Sequence, residues 1–401
     1  VAVTAAPGQS PAGQPAGPQL PVGGLRLAFL VGTIGGGTAR HVAALAGGCQ
    51  RAGADVTVFG PEQARPAFDP ALPFVPVRIG DRPRPATDAG AILGLRRELR
   101  RLRPDVVHAH GVRAGAFAAL AIPARAPGRP ALAMTIHNAP PDGKVNRAVY
   151  GALERLCARR ADAVLCASAG LAARMRDLGA TGVTPFDVPA PVAGPPSAAA
   201  VARAAADIGA GGRPVILAVG RLARQKGFDV LVAAAVRWRE EANPPRTVIA
   251  GTGPLAAQLA AQARQGGADV LLLGDRDDVP ALLAVADVFV LPSRWEARAL
   301  VLQEAMRAGR AIVATRSGDT PVLAGADAAV LIPPEDDAAL ADAVLAVLAD
   351  PALAATLGLA ARARAAALPS PSDALRQATD IYHGLVISRG TEHPRQDRLL
   401  Y

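Results

Sequence analysis

Two carboxylates stand eight positions apart in Ser293–Gly309, SRWEARALVLQEAMRAG, within a chain that has only nine glutamates. Glu296 follows the apolar run ADVFVLP (Ala286–Pro292), which places it near the mouth of a strand. Glu304 lies in LVLQEAM, where the pattern predicts a helix whose apolar neighbours are buried. A charge on an exposed helix face is the plainer reading of Glu304. A buried carboxylate instead needs hydrogen-bond donors, and sugar hydroxyls are good ones. An acid–base pair is the alternative, but glycosidase carboxylates must face each other across one bond. Straddling a loop-to-helix junction, these two are better placed to grip two parts of an extended polyol. The loop between them, Ala297–Val301, opens the helix, so its N–H groups can meet a phosphate.

A second set of residues is suited to the phosphate. AVGRLARQKGFDVLVAA places Gly220 at a strand end, then Arg221, Lys226 and Gly227, then a helix. Two fixed cations beside a helix N-terminus make an anion site, because side-chain charge and unsatisfied N–H groups act together. Either could singly be an ordinary surface charge, but the chain has just two lysines, Lys144 and Lys226, which weights Lys226 towards the anion. His108 and His110, two apart on a strand, share one face near its carboxyl end, and His137 ends the next strand. Packing or a turn role competes with function for each of them. No further ligands in register point to a metal. GTIGGGTARH (Gly32–His41) is glycine-rich but misses the dinucleotide fingerprint spacing, and VTVFGPE ends the second strand without the acidic residue a NAD site requires. It suits a loop that lets backbone approach a ligand. DRDD (Asp275–Asp278) contains a D-x-D that could hold a metal-bound diphosphate, yet it reads better as an acidic helix start before VPALLAVAD.

These residues must be positioned by a repeated pattern. Apolar β-type runs alternate with Ala/Leu/Arg-rich helical segments, at 25–32, 55–60, 105–111, 131–137 and 162–168, and again at 214–220, 246–251, 269–274, 287–293, 311–315 and 328–334. Strands this continuously apolar, separated by helices, predict parallel sheets covered on both faces. The expected architecture is α/β: two Rossmann-like, doubly wound domains facing one interdomain cleft. Residues 25–190 form the first domain, 191–212 a Pro/Ala/Gly linker, 213–368 the second, and 369–401 a C-terminal helix returning towards the first, with a tail. The Pro/Gly/Ala/Gln-rich residues 1–24 read as a disordered leader rather than a signal peptide.

Composition narrows the function classes. At 401 residues both domains can bury good cores, and with 51% hydrophobic but 3% aromatic residues, Ala, Val and Leu must fill them. The formal charge of +9 is nearly all arginine, densest in LRRELRRLRPD (Leu95–Asp105), which reads as a solvated helix face. Nucleic acid is disfavoured by missing motifs and too few aromatics for stacking. No apolar stretch approaches the roughly 18 residues of a membrane span, so any membrane contact is expected to be peripheral and salt-sensitive. Cys49, Cys157 and Cys166 form no metal spacing and cannot all pair, in keeping with a reducing cytoplasm.

GRLARQKG, AGTGP, DVPALLAVADVFVLPSRWEARALVLQEAMRAG and IVAT together resemble the retaining GT-B glycosyltransferases of family 4, the glycosyl transferases group 1 type. GGGTARHVAALAGGCQRAGADVTVF resembles the opening of that family's N-domain, and the resemblance spans about Leu25 to Leu368. The two glutamates match its E-x7-E motif. The resemblance implies that Glu296 holds the donor sugar, Glu304 the ribose, and Arg221 with Lys226 the donor diphosphate. Gly36 and Gly37 would lie near the reacting phosphate and acceptor, and His110 and His137 match cleft histidines. The implied catalytic set is Arg221, Lys226, Glu296, His110 and His137. The implied donor site adds Gly36, Gly37, Gly220, Gly253, Arg276, Arg298, Ala299, Leu300 and Glu304. No metal and no cofactor is implied beyond the nucleotide-diphosphate sugar as co-substrate. The acceptor would be a sugar, lipid-linked or small-molecule hydroxyl, and the enzyme cytoplasmic or at the inner membrane face. Two departures are visible: Glu296-Ala-Arg-Ala-Leu300 replaces the common E-G-F-G-L, adding the cation Arg298, and PFDVPAP (Pro185–Pro191) stands where P-N-G-V is usual. The competing functional reading is a non-catalytic sugar-nucleotide-binding GT-B subunit. Donor sugar, base, acceptor and oligomeric state are not encoded in any readable motif.

Overall fold

A computed structural model of the chain describes residues 23–32, 36–80, 83–137, 144–192 and 194–392. The segment read as a leader lies outside them up to residue 22, as do residues 33–35 of the first glycine loop and 138–143 of the loop after His137.

Strand–helix alternation runs through the chain twice. The first half comprises β1 (Arg26–Val31), α1 (Gly36–Arg51), β2 (Asp55–Gly60), β3 (Phe74–Pro76), α2 (Pro85–Leu102), β4 (Val106–His110), α3 (Val112–Ala121), β5 (Ala131–Ile136), α4 (Lys144–Arg160), β6 (Ala163–Cys166), α5 (Ala169–Asp177) and β7 (Val183–Pro185). The second comprises α6 (Ala198–Ile208), β8 (Val215–Val219), α7 (Phe228–Arg237), β9 (Arg246–Ala250), α8 (Ala256–Gly266), β10 (Val270–Gly274), α9 (Val279–Val285), β11 (Val288–Leu291), α10 (Leu300–Arg307), β12 (Ala311–Thr315), α11 (Thr320–Ala324), β13 (Val330–Ile332), α12 (Asp337–Ala349), α13 (Pro351–Ala366) and α14 (Pro371–Glu392). Each half folds into its own sheet, ordered β3-β2-β1-β4-β5-β6-β7 and β10-β9-β8-β11-β12-β13, and the strand pairs are parallel throughout.

The consecutive apolar positions follow from two covered faces. Side chains alternate across a strand, so Leu27, Phe29 and Val31 enter one helical layer while Ala28 and Leu30 enter the other. In the second sheet Val215 and Leu217 face one layer, and Ile216 and Ala218 the opposite one. Each fully buried Leu or Phe contributes about 1.5–3 kcal/mol.

Two strands escape the sequence pattern. β3 and β7 are three residues each and form the outer edges of the first sheet. Each ends in proline, which cannot donate to a ladder and is tolerated at an edge. The segment expected as a linker also contains structure. Ser197 caps α6 by accepting from the Ala200 N–H at 3.2 Å, and Ala204 and Ile208 join the second core. After the second domain, α14 returns to the first. Tyr382 and Ala378 enter its core, Gln377 Nε2 donates to the Pro185 carbonyl at 2.7 Å, and Arg389 pairs with Asp162 at 2.7 Å.

Both sheets reverse their strand order once, between β1 and β4 and between β8 and β11. In open parallel sheets the crevice outside the carboxyl ends at such a reversal is where ligands bind.

Candidate functional site

At the β8/β11 reversal the two strands deliver the residues singled out above. After β8, Gly220 and Arg221 lead to a single 3-10 turn, Arg224–Lys226, then α7. After β11 comes Ser293–Glu296. Lys226 Nζ lies 2.5 Å from Glu296 Oε1, and Ser293 Oγ donates to the same oxygen at 2.7 Å. Glu296 is 4% exposed, so both donors are needed to keep a buried carboxylate satisfied. Arg221 is exposed and has no ion-pair partner among the described residues.

Backbone clamps hold this loop. Gly318 has φ +53, and a Cβ there would collide with the Glu296 carbonyl. Gly227, at φ +65, is pressed in the same way on the Pro292 carbonyl. Both positions need left-handed backbone and no side chain. Arg294 completes the clamp by binding Asp229 at 2.7 Å and Glu335 at 2.8 Å. Beneath, Thr315 Oγ1 donates to the Ser293 carbonyl. Gly253 is packed against the Leu222 backbone in the neighbouring loop.

The β1/β4 reversal carries a different kind of polar group. His41 on α1, His108 and His110 on β4, and His137 after β5 are all buried. His108 Nδ1 lies 2.6 Å from the Tyr382 hydroxyl and Nε2 2.7 Å from Thr135 Oγ1. His110 Nδ1 meets His137 Nε2 at 3.2 Å, and Phe29 stacks on the His110 ring at 5.8 Å. Burial pushes His41 down to about 4. Burial, reinforced by His41, pushes His108 down to about 3. His110 and His137 are held well below the usual imidazole range by burial first and by neighbouring histidines second. The cluster is therefore neutral at physiological pH. His41 Nε2 and His110 Nε2 have no hydrogen-bond partner among the described residues.

The segment from Trp295 to Glu304 joins the two halves. Trp295 and Ala297 pack into one core layer of the first domain and Leu300 into the other. Gly37 receives Leu300 so closely that a Cβ would lie 2.7 Å from its Cδ1. Gln303 donates to the Val188 carbonyl and accepts from the Ala190 N–H, both at 3.0 Å. Glu304 Oε1 pairs with Arg40 of α1 at 3.0 Å, while its Oε2 is buried without a partner among the described residues. Burial raises Glu304 above the ordinary carboxyl range, against the pull of Arg40 and Arg307. Ala299, at the N-cap of α10, brings no side-chain hydrogen bond to its first N–H groups.

Of the residues expected at the site, Lys226 and Glu296 are in contact, Gly37 and Leu300 meet across the cleft, and His110 meets His137. Arg276 is committed elsewhere, to Asp278 at 2.6 Å and Asp207 at 2.7 Å. Arg298 lies between Asp187, at 3.7 Å, and Asp319, at 3.5 Å. Arg40, His41, Ser293, Gly318 and Tyr382 join the site without belonging to the charge and glycine pattern that marks the others. Only Tyr382, one of three tyrosines in the chain, offered a signal through its rarity. Among the described residues no three His, Cys, Asp or Glu side chains converge as metal ligands.

Two Rossmann-like domains facing each other across a cleft define the GT-B class of protein. Solved structures share the fold. Alr3699/HepE from Anabaena, crystallised with UDP and glucose, superposes with a TM-score of 0.75 over 90% of this chain and 99% of that one, at 18% identity. The family model for Glycosyltransferase Family 4 matches residues 35–185, and that for Glycosyl transferases group 1 matches residues 213–350. The chain belongs to this glycosyltransferase family. Relatives include the alpha-D-kanosaminyltransferase of Streptomyces kanamyceticus, 29% identical over 43% of this chain and 45% of that protein. Another is the GDP-mannose-dependent alpha-(1-6)-phosphatidylinositol monomannoside mannosyltransferase of Mycolicibacterium smegmatis, 35% identical over 38% and 44%. The chain thus matches less than half the length of these two relatives.

Proposed function

We propose that the chain transfers a sugar from a nucleotide-diphosphate sugar to an acceptor hydroxyl, with retention of anomeric configuration and without a metal. The observation that carries this reading is the Lys226–Glu296 pair at 2.5 Å, beside the exposed Arg221 at the β8/β11 reversal. A sugar diphosphate presents an anion and hydroxyl donors side by side. Lys226 and Arg221 would take the diphosphate while Glu296 takes sugar hydroxyls, so the pair separates only as each member gains a new partner. Glu304 would take the ribose. The chemical difficulty is charge building on the departing diphosphate, and preorganised cations in a partly dry cleft lower that barrier. The acceptor attacks on the face the diphosphate leaves, and the leaving phosphate takes the acceptor proton. His110 and His137, held neutral, contribute hydrogen bonds without adding charge to the site. The acceptor is a sugar, lipid-linked or small-molecule hydroxyl. Any membrane contact would be peripheral and salt-sensitive, because the chain is basic and no single helix among the described residues is long and apolar enough to cross a membrane.

A panel of UDP-, GDP- and ADP-sugars, followed by release of nucleoside diphosphate with and without EDTA, tests the proposal. Release that persists in EDTA is expected. No release from any donor would refute the transferase reading, and activity lost in EDTA but restored by Mg²⁺ would refute metal independence.

A further inference from the structure

Glu304 stands in the second domain, yet its ion pair among the described residues comes from the first. Gly37 and Arg40 lie one turn apart on α1, and Leu300 and Glu304 one turn apart on α10. Because Gly37 carries no Cβ, Leu300 seats against it, and the next turn brings Arg40 Nη2 to 3.0 Å from Glu304 Oε1. The Glu304 side chain is 12% exposed and its Oε2 is buried without a partner among the described residues. An unsatisfied buried carboxylate oxygen is costly, so its persistence points to a donor that arrives with a ligand.

The other charges around Glu304 are otherwise engaged. Arg307, on the same helix, donates to the Ala190 carbonyl at 3.0 Å. Arg362 of α13 reaches the Ala308 carbonyl at 3.4 Å. Asp187, before the interdomain crossing, and Asp319, before α11, face Arg298. Arg40 is the cation in contact.

We propose that Arg40 is a positioning residue for the donor, supplied by the N-terminal domain: it holds Glu304 Oε1 across the cleft, leaves Oε2 for the ribose hydroxyls, and so couples nucleotide binding to domain closure. The inference rests on the nucleotide reading of Glu304. Arg40 keeps that carboxylate ionised against the burial that favours its neutral form, and an ionised carboxylate is the better acceptor for ribose hydroxyls. Closure and nucleotide therefore favour each other, as two ligands of one carboxylate.

Calorimetric titration of the full chain with free UDP, GDP and ADP, from about pH 8 to about pH 5.5, tests this. Arg40→Ala should weaken the nucleoside diphosphate about tenfold, a size typical of a site-to-site coupling. Its affinity should also begin to fall at a higher pH than in the wild type, because Glu304 then protonates sooner. Arg40→Lys should restore most of both. In a Glu304→Ala background, Arg40→Ala should add nothing, since its effect passes through that carboxylate. The Arg40 side chain is 46% exposed, so the variants should fold, and matched thermal melts check this. Unchanged affinity and pH profile in Arg40→Ala would overturn the proposal. So would tighter binding, which would make Arg40 a competitor of the ribose, or an effect undiminished without Glu304. Failure of the wild type itself to bind any of the three nucleotides would refute the nucleotide reading instead, and the proposal with it.

Discussion

The two domains solve the same placement problem with opposite chemistry. In the second, the buried polar groups at the strand reversal are charged and clamped by backbone: Glu296 is fixed by Lys226, by Ser293 and by the close approach of Gly318. In the first, they are neutral rings held by other side chains, four histidines with Tyr382, Thr135 and Phe29 around them. Outside, the contrast inverts. Residues 25–190 carry 22 Arg and Lys against 12 Asp and Glu, while residues 191–368 carry 17 against 18. The whole basic surplus thus sits on the first domain, which is where any attraction to anionic surfaces must act. One domain is charged at its site and balanced outside; the other is neutral at its site and basic outside.

Acidification should separate the two most. A histidine whose folded pKa is depressed contributes stability that is present above its unfolded pKa and is lost as pH falls through the folded one. For His41, which falls from 6.5 to about 4, the loss begins below 6.5 and is complete below about 4. A shift of that size corresponds to on the order of 3 kcal/mol for this one buried ring. His108, His110 and His137 act in the same direction. Urea melts should therefore lose stability steeply across that window, with the first domain unfolding before the second. A midpoint that stays constant from neutral pH down to about 5 would mean the ring cluster is not buried and neutral.

Lys226→Ala should lower kcat by about 10²-fold or more, because the diphosphate loses a fixed cation and Glu296 loses its partner. A drop smaller than about threefold, well below what losing a positioned cation costs, would break the assignment of charge to the second domain's site. The corresponding change in the first domain is milder. Tyr382→Phe removes one buried hydrogen bond at 2.6 Å and leaves His108 Nδ1 without it. Destabilisation of about 1–2 kcal/mol is expected, confined to the first domain's transition. Smallest of all is Arg101→Ala, which deletes an exposed i,i+3 pair with Glu98 and should change stability by less than about 0.5 kcal/mol.

Legibility in the sequence followed the same divide. Every strand of the second sheet was readable as a continuous apolar run, and Arg221, Lys226 and Glu296 stood out as charges just past strand ends, Glu304 as a carboxylate among apolar helix neighbours. In the first sheet β3 and β7 were not, since three residues ending in proline carry no period. The helix α6 was hidden by a Pro/Ala/Gly composition that reads as linker, although Ser197 is a good cap. What no local pattern could show were contacts between distant segments. His108 and Tyr382 are 274 positions apart, and Arg40 meets Glu304 only after both domains have folded and closed. The commitment of Arg276 to Asp207, 69 positions earlier, belongs to the same class.

The account stands on Glu296 and Glu304 doing different work on one donor, and titrating each alanine variant with free nucleoside diphosphate tests that most directly. Glu304→Ala removes ribose contacts made equally in ground and transition states, so nucleotide affinity and donor KM should suffer while kcat changes little. Glu296→Ala removes a contact to the sugar, which a free nucleoside diphosphate lacks, and frees Lys226 from its ion pair, so its nucleotide affinity should be no weaker than that of the wild type. Equal weakening in both variants would contradict the division of roles.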